Sequence, residues 1–553
     1  MSAMDGLPYA PGATADVCLV LEGTWPYVRG GVSSWVAQLI DRLPHVSFSV
    51  IFLGARAGEH EAPRYPIPAN VLHIEVHHLL GGAADDEPGP ARNVSPRGGG
   101  RGGGRGVGHT RDRESHERFA RSAARHDALR EGPLHLPGEL AADLTALSGG
   151  EQALCAHDLQ THPLAWQSIR ERYADAPPGL DFNHYFWSVR SMHEPLFLLG
   201  RIAANAPPAR VYHAVSTGYA GWLGAMVSQR TGVPYLISEH GIYTKERELD
   251  LAQVNWIPEQ VDPFRAGLDD GMGYLRELWI RFFHSLGRLS YASADRVFTL
   301  YEGNRRRQLA DGAPPGKLEI IPNGVDVARF AAVRRPVEAA PPPILLLVGR
   351  VVPIKDIKTF IRAMRIVRAR LPDAEGWLLG PQDEDPPYTE ACQRLVASFG
   401  LQDCVRFLGF GKPEEIFPEV GLNVLSSVSE GQPLTVLEGF AAGVPALVTD
   451  VGSCRELIDG AGEADRALGC AGAVVPIASP DRFAEAAIAL LSDTQAWHKA
   501  RDAGIRRVES RYDERDMLAR YDTVYRDAID LGSFVMAGAA QGHASDAPCR
   551  KAS

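Results

Sequence analysis

Ser429-Glu430-Gly431-Gln432-Pro433-Leu434-Thr435-Val436-Leu437-Glu438-Gly439 sets two glutamates, with seven residues between them, just behind the strand-like run 422–427. The run predicts a buried strand, and the polar, glycine-bearing residues after it predict a loop. Pro433 suits the first turn of the helix that should follow, because its φ is already helical and its missing N–H would have had no partner there. The free amides of such a turn, with the positive end of the helix dipole, attract phosphate and hydroxyl oxygens. Glu430 on the loop and Glu438, about one and a half turns into the helix, are acceptor-only carboxylates suited to pairs of hydroxyls. Alone, two glutamates at this spacing read as solvated surface groups. The setting changes that reading: a strand at 444–449 follows at once, then Asp450-Val451-Gly452-Ser453 and a helix carrying Arg455 and Glu456.

Outward from this stretch, short apolar runs alternate with longer amphipathic segments, the pattern of an α/β protein with parallel sheets. Strands are predicted at 16–21, 47–53, 71–76, 210–214, 234–238, 295–300 and 317–321 in the first half. In the second half they are predicted at 344–348, 376–379, 404–408, 422–426, 445–449 and 473–475. The Pro/Ala-rich stretch 331–343 reads as a connector between two Rossmann-like domains, 1–330 and 344–510. A final helix is expected within 511–532 and a flexible tail at 533–553. Between about 83 and 125 the chain is rich in Gly, Arg and Pro, with too few large apolar residues to offset the entropy of ordering, and is expected as a disordered insertion. Its Arg-Gly repeats suit RNA or anionic surfaces as well as a plain flexible loop. A G-x-G-x-x-G spacing begins at Gly98, but with no strand before it and no helix after it, it is not a dinucleotide fingerprint.

The chain has 553 residues and a net charge of −11, so a general affinity for nucleic acid is not expected. Its seven cysteines (18, 155, 392, 404, 454, 470 and 549) are dispersed and include no C-x-x-C pair. They read as reduced thiols of a cytoplasmic protein, neither a disulfide framework nor a zinc site. No apolar run approaches the ~18 residues of a membrane span, and the N-terminus does not read as a signal peptide.

Three further places carry site chemistry. The strand at 16–21 runs through a loop to Gly30-Gly31 and a helix starting near Ser33, a layout that presents bare amides to phosphate. A simple turn before a Ser-capped helix remains the alternative. Behind the strand at 344–348 come Arg350 and Lys355, two cations five residues apart at the strand mouth, able to hold both phosphates of a diphosphate and to neutralise charge as it leaves. His240 closes the strand at 234–238; by itself it reads as a packed or surface histidine. The D-x-D spelling at Asp383 and Asp385 raises a metal, but it follows a strand in the second domain, where Arg350 and Lys355 can take over charge neutralisation, and no metal or other cofactor is expected.

Together these residues resemble the retaining, nucleotide-sugar-dependent glycosyltransferases of the GT-B fold, the large family 4. The runs 21–35, 238–247 and 380–388 are similar, more narrowly, to the PelF-type glycosyltransferases of Pel exopolysaccharide synthesis; the Gly/Arg insertion departs from that pattern. The resemblance implies two Rossmann-like domains facing a cleft, with the last helix crossing back to the first. It implies a UDP-sugar donor, a growing polysaccharide as acceptor, and a cytoplasmic enzyme working with membrane-embedded synthesis and export proteins that could recruit it to the inner membrane. It carries over these roles: Arg350 and Lys355 on the diphosphate, Glu438 on the ribose, and Glu430 with the Gly431, Pro433, Leu434 and Thr435 backbone on the donor sugar. Leu408 lies in the segment cradling the base, and Gly30, Gly31 and His240 approach from the other domain. The turn at Asn323-Gly324 is implied as structural. Two other readings stay open: a non-catalytic nucleotide-sugar-binding scaffold, and a UDP-sugar epimerase on the same fold.

Overall fold

Strands covered on both faces have no polar alternation to show, and read as continuous apolar runs. The computed structural model places a strand at every predicted run. It describes residues 7–80, 163–253, 273–336 and 340–542, apart from 11, 57, 59–61 and 178–179, with Ala124 and Ala128 besides. The insertion expected at about 83–125, Ala124 excepted, lies outside the described residues, as does 543–553.

The first sheet comprises β1 (Ala15–Glu22), β2 (Phe48–Arg56), β3 (Val71–Leu80), β4 (Ala209–Ala214), β5 (Tyr235–Glu239), β6 (Arg296–Thr299) and β7 (Leu318–Ile320). Its order is β3-β2-β1-β4-β5-β6-β7, and β3 through β5 pair in parallel. Central β1 is buried from Val17 to Leu21 without measurable exposure. The second sheet comprises β8 (Ile344–Val348), β9 (Glu375–Leu379), β10 (Val405–Gly409), β11 (Leu422–Leu425), β12 (Ala446–Thr449) and β13 (Gly472–Val475). It is parallel throughout, in the order β10-β9-β8-β11-β12-β13. In both sheets the order reverses beside the first strand, between β1 and β4 and between β8 and β11. Such a reversal opens a crevice at the carboxyl ends of the two strands, where α/β proteins bind ligands.

The chain forms two compact units, 1–298 with 308–319 and 524–553, and 299–307 with 320–523. This shifts the expected division. Val325, Val327 and Phe330 pack in one core cluster with Leu346, Trp377, Leu437 and Phe440, so 320–330 belongs to the second unit. The stretch expected as a connector is also fastened there. Arg334 Nε donates to the Ala441 carbonyl at 2.7 Å and Arg335 Nη1 to that of Pro418 at 3.0 Å. Proline and alanine hid these anchors because the bonds come from the two arginines between them. The final helix, Glu514–Gly542, extends past the expected start of the tail at 533. A fully buried ion pair, Arg507 Nε to Asp465 Oδ1 at 2.7 Å, also serves the second unit. Arg507 further donates to the carbonyls of Leu457, Ile458, Asp465 and Gly469, which satisfies a charge that would otherwise be costly to bury.

Candidate active site

In the second unit the switch point between β8 and β11 gathers most of the expected site residues. After β8 the chain turns at Gly349 and Arg350, then forms a 3₁₀ turn, Pro353–Lys355, before Asp356 caps the helix Ile357–Arg370 through the Thr359 amide. Lys355 is therefore on the turn that precedes the helix. After β11, Ser426, Ser427 and Val428 lead to Glu430. The two loops are stitched together. Ser426 Oγ donates to the Lys355 carbonyl at 2.8 Å, and the Val428 amide to that of Ile354 at 2.9 Å. Lys355 Nζ donates to Glu430 Oε1 at 2.6 Å, and Ser427 Oγ donates to the same oxygen at 2.6 Å. The ammonium and carboxylate side chains are 18% and 14% exposed, open enough to meet a ligand yet held in place.

Arg350 lies two residues beyond β8, 42% exposed, with Nη1 2.8 Å from Glu384 Oε2. The acidic run considered for a metal is spent on protein contacts at two of its residues: Glu384 holds Arg350, and Asp385 caps the helix Pro386–Ser398 by accepting from the Tyr388 amide at 3.0 Å.

The helix behind Glu430 is Leu434–Ala441, and Pro433 is its N-cap, with φ −72° and ψ 113°. Pro433 stands one position before the first turn, because its ψ is extended. It has no side-chain oxygen to cap the first amides, so that N-terminus is left to other acceptors. Glu438, half-buried on the second turn, has its pKa pushed up to about 7, chiefly by burial; nearby Glu414 adds to the rise and Arg329 opposes it. Free Glu438 is thus partly protonated at neutral pH, which corrects its description as a fully charged acceptor. A ribose diol donates two hydrogen bonds, which favours the ionised form. UDP affinity is expected to strengthen as pH rises from 6 to 8, and Glu438→Gln should flatten the part of that slope beyond the titration of the nucleotide's own phosphate. Calorimetric titration across that range checks it; parallel slopes in the two proteins would remove Glu438 from the ribose.

Several residues that support this loop are not among the expected site residues. Gln432 Oε1 accepts from the Asn323 amide at 2.7 Å, so the turn expected as structural braces the loop directly. Asn423, inside β11, donates from Nδ2 to the Thr435 carbonyl at 2.6 Å; an asparagine in an apolar strand was the available clue. Gly452 adopts φ +54°, and a Cβ there would stand 2.3 Å from the carbonyl oxygens of both Glu430 and Gly431. Leu408 lies on the edge strand β10, 37% exposed.

The first unit holds Gly30, Gly31 and His240. The helix after β1 runs Gly31–Arg42 with Gly30 as N-cap, so it begins two residues before Ser33, which is buried in the first turn and is not the cap. Gly30 has φ 167°, extended backbone that any residue adopts, and a Cβ at either glycine would meet nothing within 4 Å. The pair leaves the helix start uncovered. His240 follows β5, packed edge-on against Trp35 with centroids 4.5 Å apart. Burial lowers its pKa to about 4, so the ring is neutral at pH 7. It is packed, as a lone histidine often is, and it also lines a cavity in this unit.

Two parallel-sheet Rossmann-like units define the class by fold, the GT-B architecture, and the second carries cations and carboxylates at its switch point. The chain belongs to the family described as "Domain of unknown function (DUF3492)", which matches residues 15–316, more than half its length. Residues 342–493 match "Glycosyl transferases group 1". Among similar proteins, a D-inositol 3-phosphate glycosyltransferase of Nocardia farcinica is 31% identical over 31% of this chain and 41% of its own length. One of Thermobispora bispora is 26% identical over 60% of this chain and 75% of its own. The chain thus spans less than half of the first relative and three quarters of the second. Among solved structures, HepE of Anabaena in complex with UDP has a TM-score of 0.52 at 12% identity, covering 92% of this chain and 99% of HepE. Sucrose-phosphate synthase of Thermosynechococcus elongatus has a TM-score of 0.51 at 16% identity, covering 93% and 99%. These likenesses are of fold. Among the described residues no helix is long and apolar enough to cross a membrane.

Proposed function

We propose that this chain transfers a sugar from a UDP-sugar to a growing exopolysaccharide of the Pel type, with retention at the anomeric carbon and without a metal. The observation that supports this most is the Lys355–Glu430 clasp at the second switch point, which precedes in sequence a helix start without a side-chain cap and, on that helix, Glu438. A diphosphate on the helix start would draw the Lys355 ammonium and the Arg350 guanidinium, which stabilise charge on the leaving UDP. Glu430 is then released to accept from donor-sugar hydroxyls, and Glu438 holds the ribose. Two cations at the diphosphate support the metal-free reading. For retention we adopt same-face attack, with the leaving phosphate taking the acceptor's proton. Membrane-embedded synthesis and export proteins as partners belong to the same proposal.

Calorimetry with UDP, GDP and ADP in EDTA tests this, followed by UDP release from UDP-glucose and UDP-N-acetylglucosamine. UDP is expected to bind selectively without metal, at least tenfold tighter than to Glu438→Ala, and one donor should turn over. Binding without turnover, even with the partner proteins present, would move the chain to the scaffold reading. Conversion of a donor without any acceptor would make it an epimerase. No nucleotide binding would remove the site altogether.

A further inference from the structure

Trp35 lies one turn into the helix that begins at Gly31, buried at 2% exposure, with its indole in contact with two imidazoles. His240 packs against it with ring centroids 4.5 Å apart and 63° between planes, and His213, on β4, at 6.1 Å and 89°. His213 is the fixed member of this row. Its Nδ1 is 2.9 Å from the Tyr525 hydroxyl of the final helix, and its Nε2 is 2.8 Å from the Ser238 hydroxyl on β5. With both ring nitrogens engaged, it cannot turn without breaking two buried hydrogen bonds. Burial, with His240 adding to it, lowers its pKa to about 3, so His213 is neutral.

His240 is the first residue past β5, where the strand ladder ends. Its chain neighbour Glu239 accepts from the Thr217 hydroxyl, the Tyr243 amide, the Tyr291 hydroxyl and the Gln308 side-chain amide. That carboxyl anchors the backbone beside His240. The ring needs its own support, because an imidazole turns about two side-chain bonds, and an aromatic contact of this geometry supplies it. The indole is also part of the cover that keeps water away: burial lowers the His240 pKa to about 4. Charged groups on the cavity wall that His240 shares are Glu22, Arg56, Glu246, Arg247 and Asp250. On the other side of Trp35, a single helical turn leads back to Gly31, which with Gly30 is exposed. One buried ring thus joins an uncovered helix start to a strand-end histidine, two features far apart in sequence.

We infer that Trp35 is a positioning residue: it fixes the His240 imidazole in one orientation and ties it to the Gly30–Gly31 helix start, so that the two act as one preformed surface. Its effect on turnover rests on the glycosyl-transfer reading; its hold on the ring does not.

The test is a double-mutant cycle on the full chain, with Trp35→Leu, His240→Ala, the double variant, and Trp35→Phe. UDP release from UDP-glucose and UDP-N-acetylglucosamine is read beside UDP affinity and Tm. Trp35→Leu is expected to lower kcat about tenfold or more, with UDP affinity within about twofold of wild type. Trp35→Phe, which keeps a ring against His240, should recover most of that loss. On His240→Ala, Trp35→Leu should cost less than about twofold further, because a side chain that acts through His240 has nothing left to position. Ring NMR spectra of histidine-labelled protein, with His240 assigned by its absence in His240→Ala, report on the hold itself. Wild-type His240 should stay unprotonated down to about pH 5, whereas in Trp35→Leu it should titrate nearer the ordinary histidine value of about 6.5. That arm separates the two readings: if His240→Ala turns over like wild type, the donor-side role of His240 falls, while the spectra still decide whether Trp35 holds the ring. Where His240→Ala is impaired, wild-type turnover in Trp35→Leu, or an equal loss from it in both backgrounds, would overturn the inference. A His240 spectrum unchanged by Trp35→Leu overturns it in either case. Should Trp35→Leu fail to fold, Trp35→Phe carries the cycle, with a smaller loss that must still vanish on His240→Ala.

Discussion

Lys355→Ala is expected to lower kcat by about 10²–10³-fold, the range seen when one preorganised charge-stabilising donor is removed. Lys355 is placed for this as few lysines are. Its backbone is held by Ser426 through the Lys355 carbonyl, and its ammonium is held by Glu430. On the proposed reading the charge is therefore preorganised for the diphosphate and needs little reorganisation when UDP departs. Replacement by alanine also leaves Glu430 with Ser427 as its remaining bonded partner, a carboxylate facing an incoming diphosphate with no cation between them. Both effects oppose the donor, so KM should rise as kcat falls. Lys355→Arg should recover part of kcat, since it restores charge without the same reach. Arg350→Ala should cost less, because the Arg350 guanidinium is 42% exposed and already shared with Glu384. Steady-state UDP release, with thermal melts to show that the variants are folded, measures all three. A Lys355→Ala protein with more than a tenth of wild-type kcat would remove Lys355 from the diphosphate.

What could be read from the chain divides along a physical line. The central strands were legible because each is a short apolar run covered on both faces, and burial in a parallel sheet erases the alternation that would blur it; the edge strands β3, β7 and β10 keep polar residues and partial exposure. Helix starts were less so: Gly30 and Pro433 are the N-caps, where the sequence reads a helix starting near Ser33 and Pro433 inside the first turn, since one backbone angle decides the matter. Site partnerships divide in the same way. Arg350, Lys355, Glu430 and Glu438 stand out as charges at strand ends, but that Lys355 clasps Glu430 across 75 positions follows only from β8 lying beside β11. The Asn323–Gln432 brace spans 109 positions and has no local motif. The first-unit cavity draws its wall from Glu22 to Phe283, with no run of sequence to announce it.

Gly452 offers the sharpest test of how far the donor loop depends on such long-range contacts. It sits in the stretch Asp450–Ser453 behind β12 and is not among the expected site residues. Its φ of +54° already disfavours a side chain by about 1–2 kcal/mol. More importantly, a Cβ would stand 2.3 Å from the carbonyl oxygens of Glu430 and Gly431, contacts that backbone cannot yield cheaply. The neighbouring Ser453 amide donates to the Gly431 carbonyl at 2.9 Å, so the two loops cannot simply part. Gly452→Ala must therefore displace Glu430 and Gly431 together, and with them the carboxylate and backbone assigned to the donor sugar. Misplacement of about 1 Å costs on the order of 10²-fold in rate, and that is the expected fall in kcat/KM, together with a Tm lower by a few degrees. Gly462→Ala is the control: a Cβ there meets nothing within 4 Å, and its activity should stay within about twofold of wild type, as expected for surface changes away from such contacts. The decisive comparison is Gly452→Ala at a temperature well below its melt. Wild-type turnover there would mean that the Glu430 loop adapts freely and that donor orientation is set elsewhere; a folded protein with lost turnover would tie catalysis to the backbone contact itself.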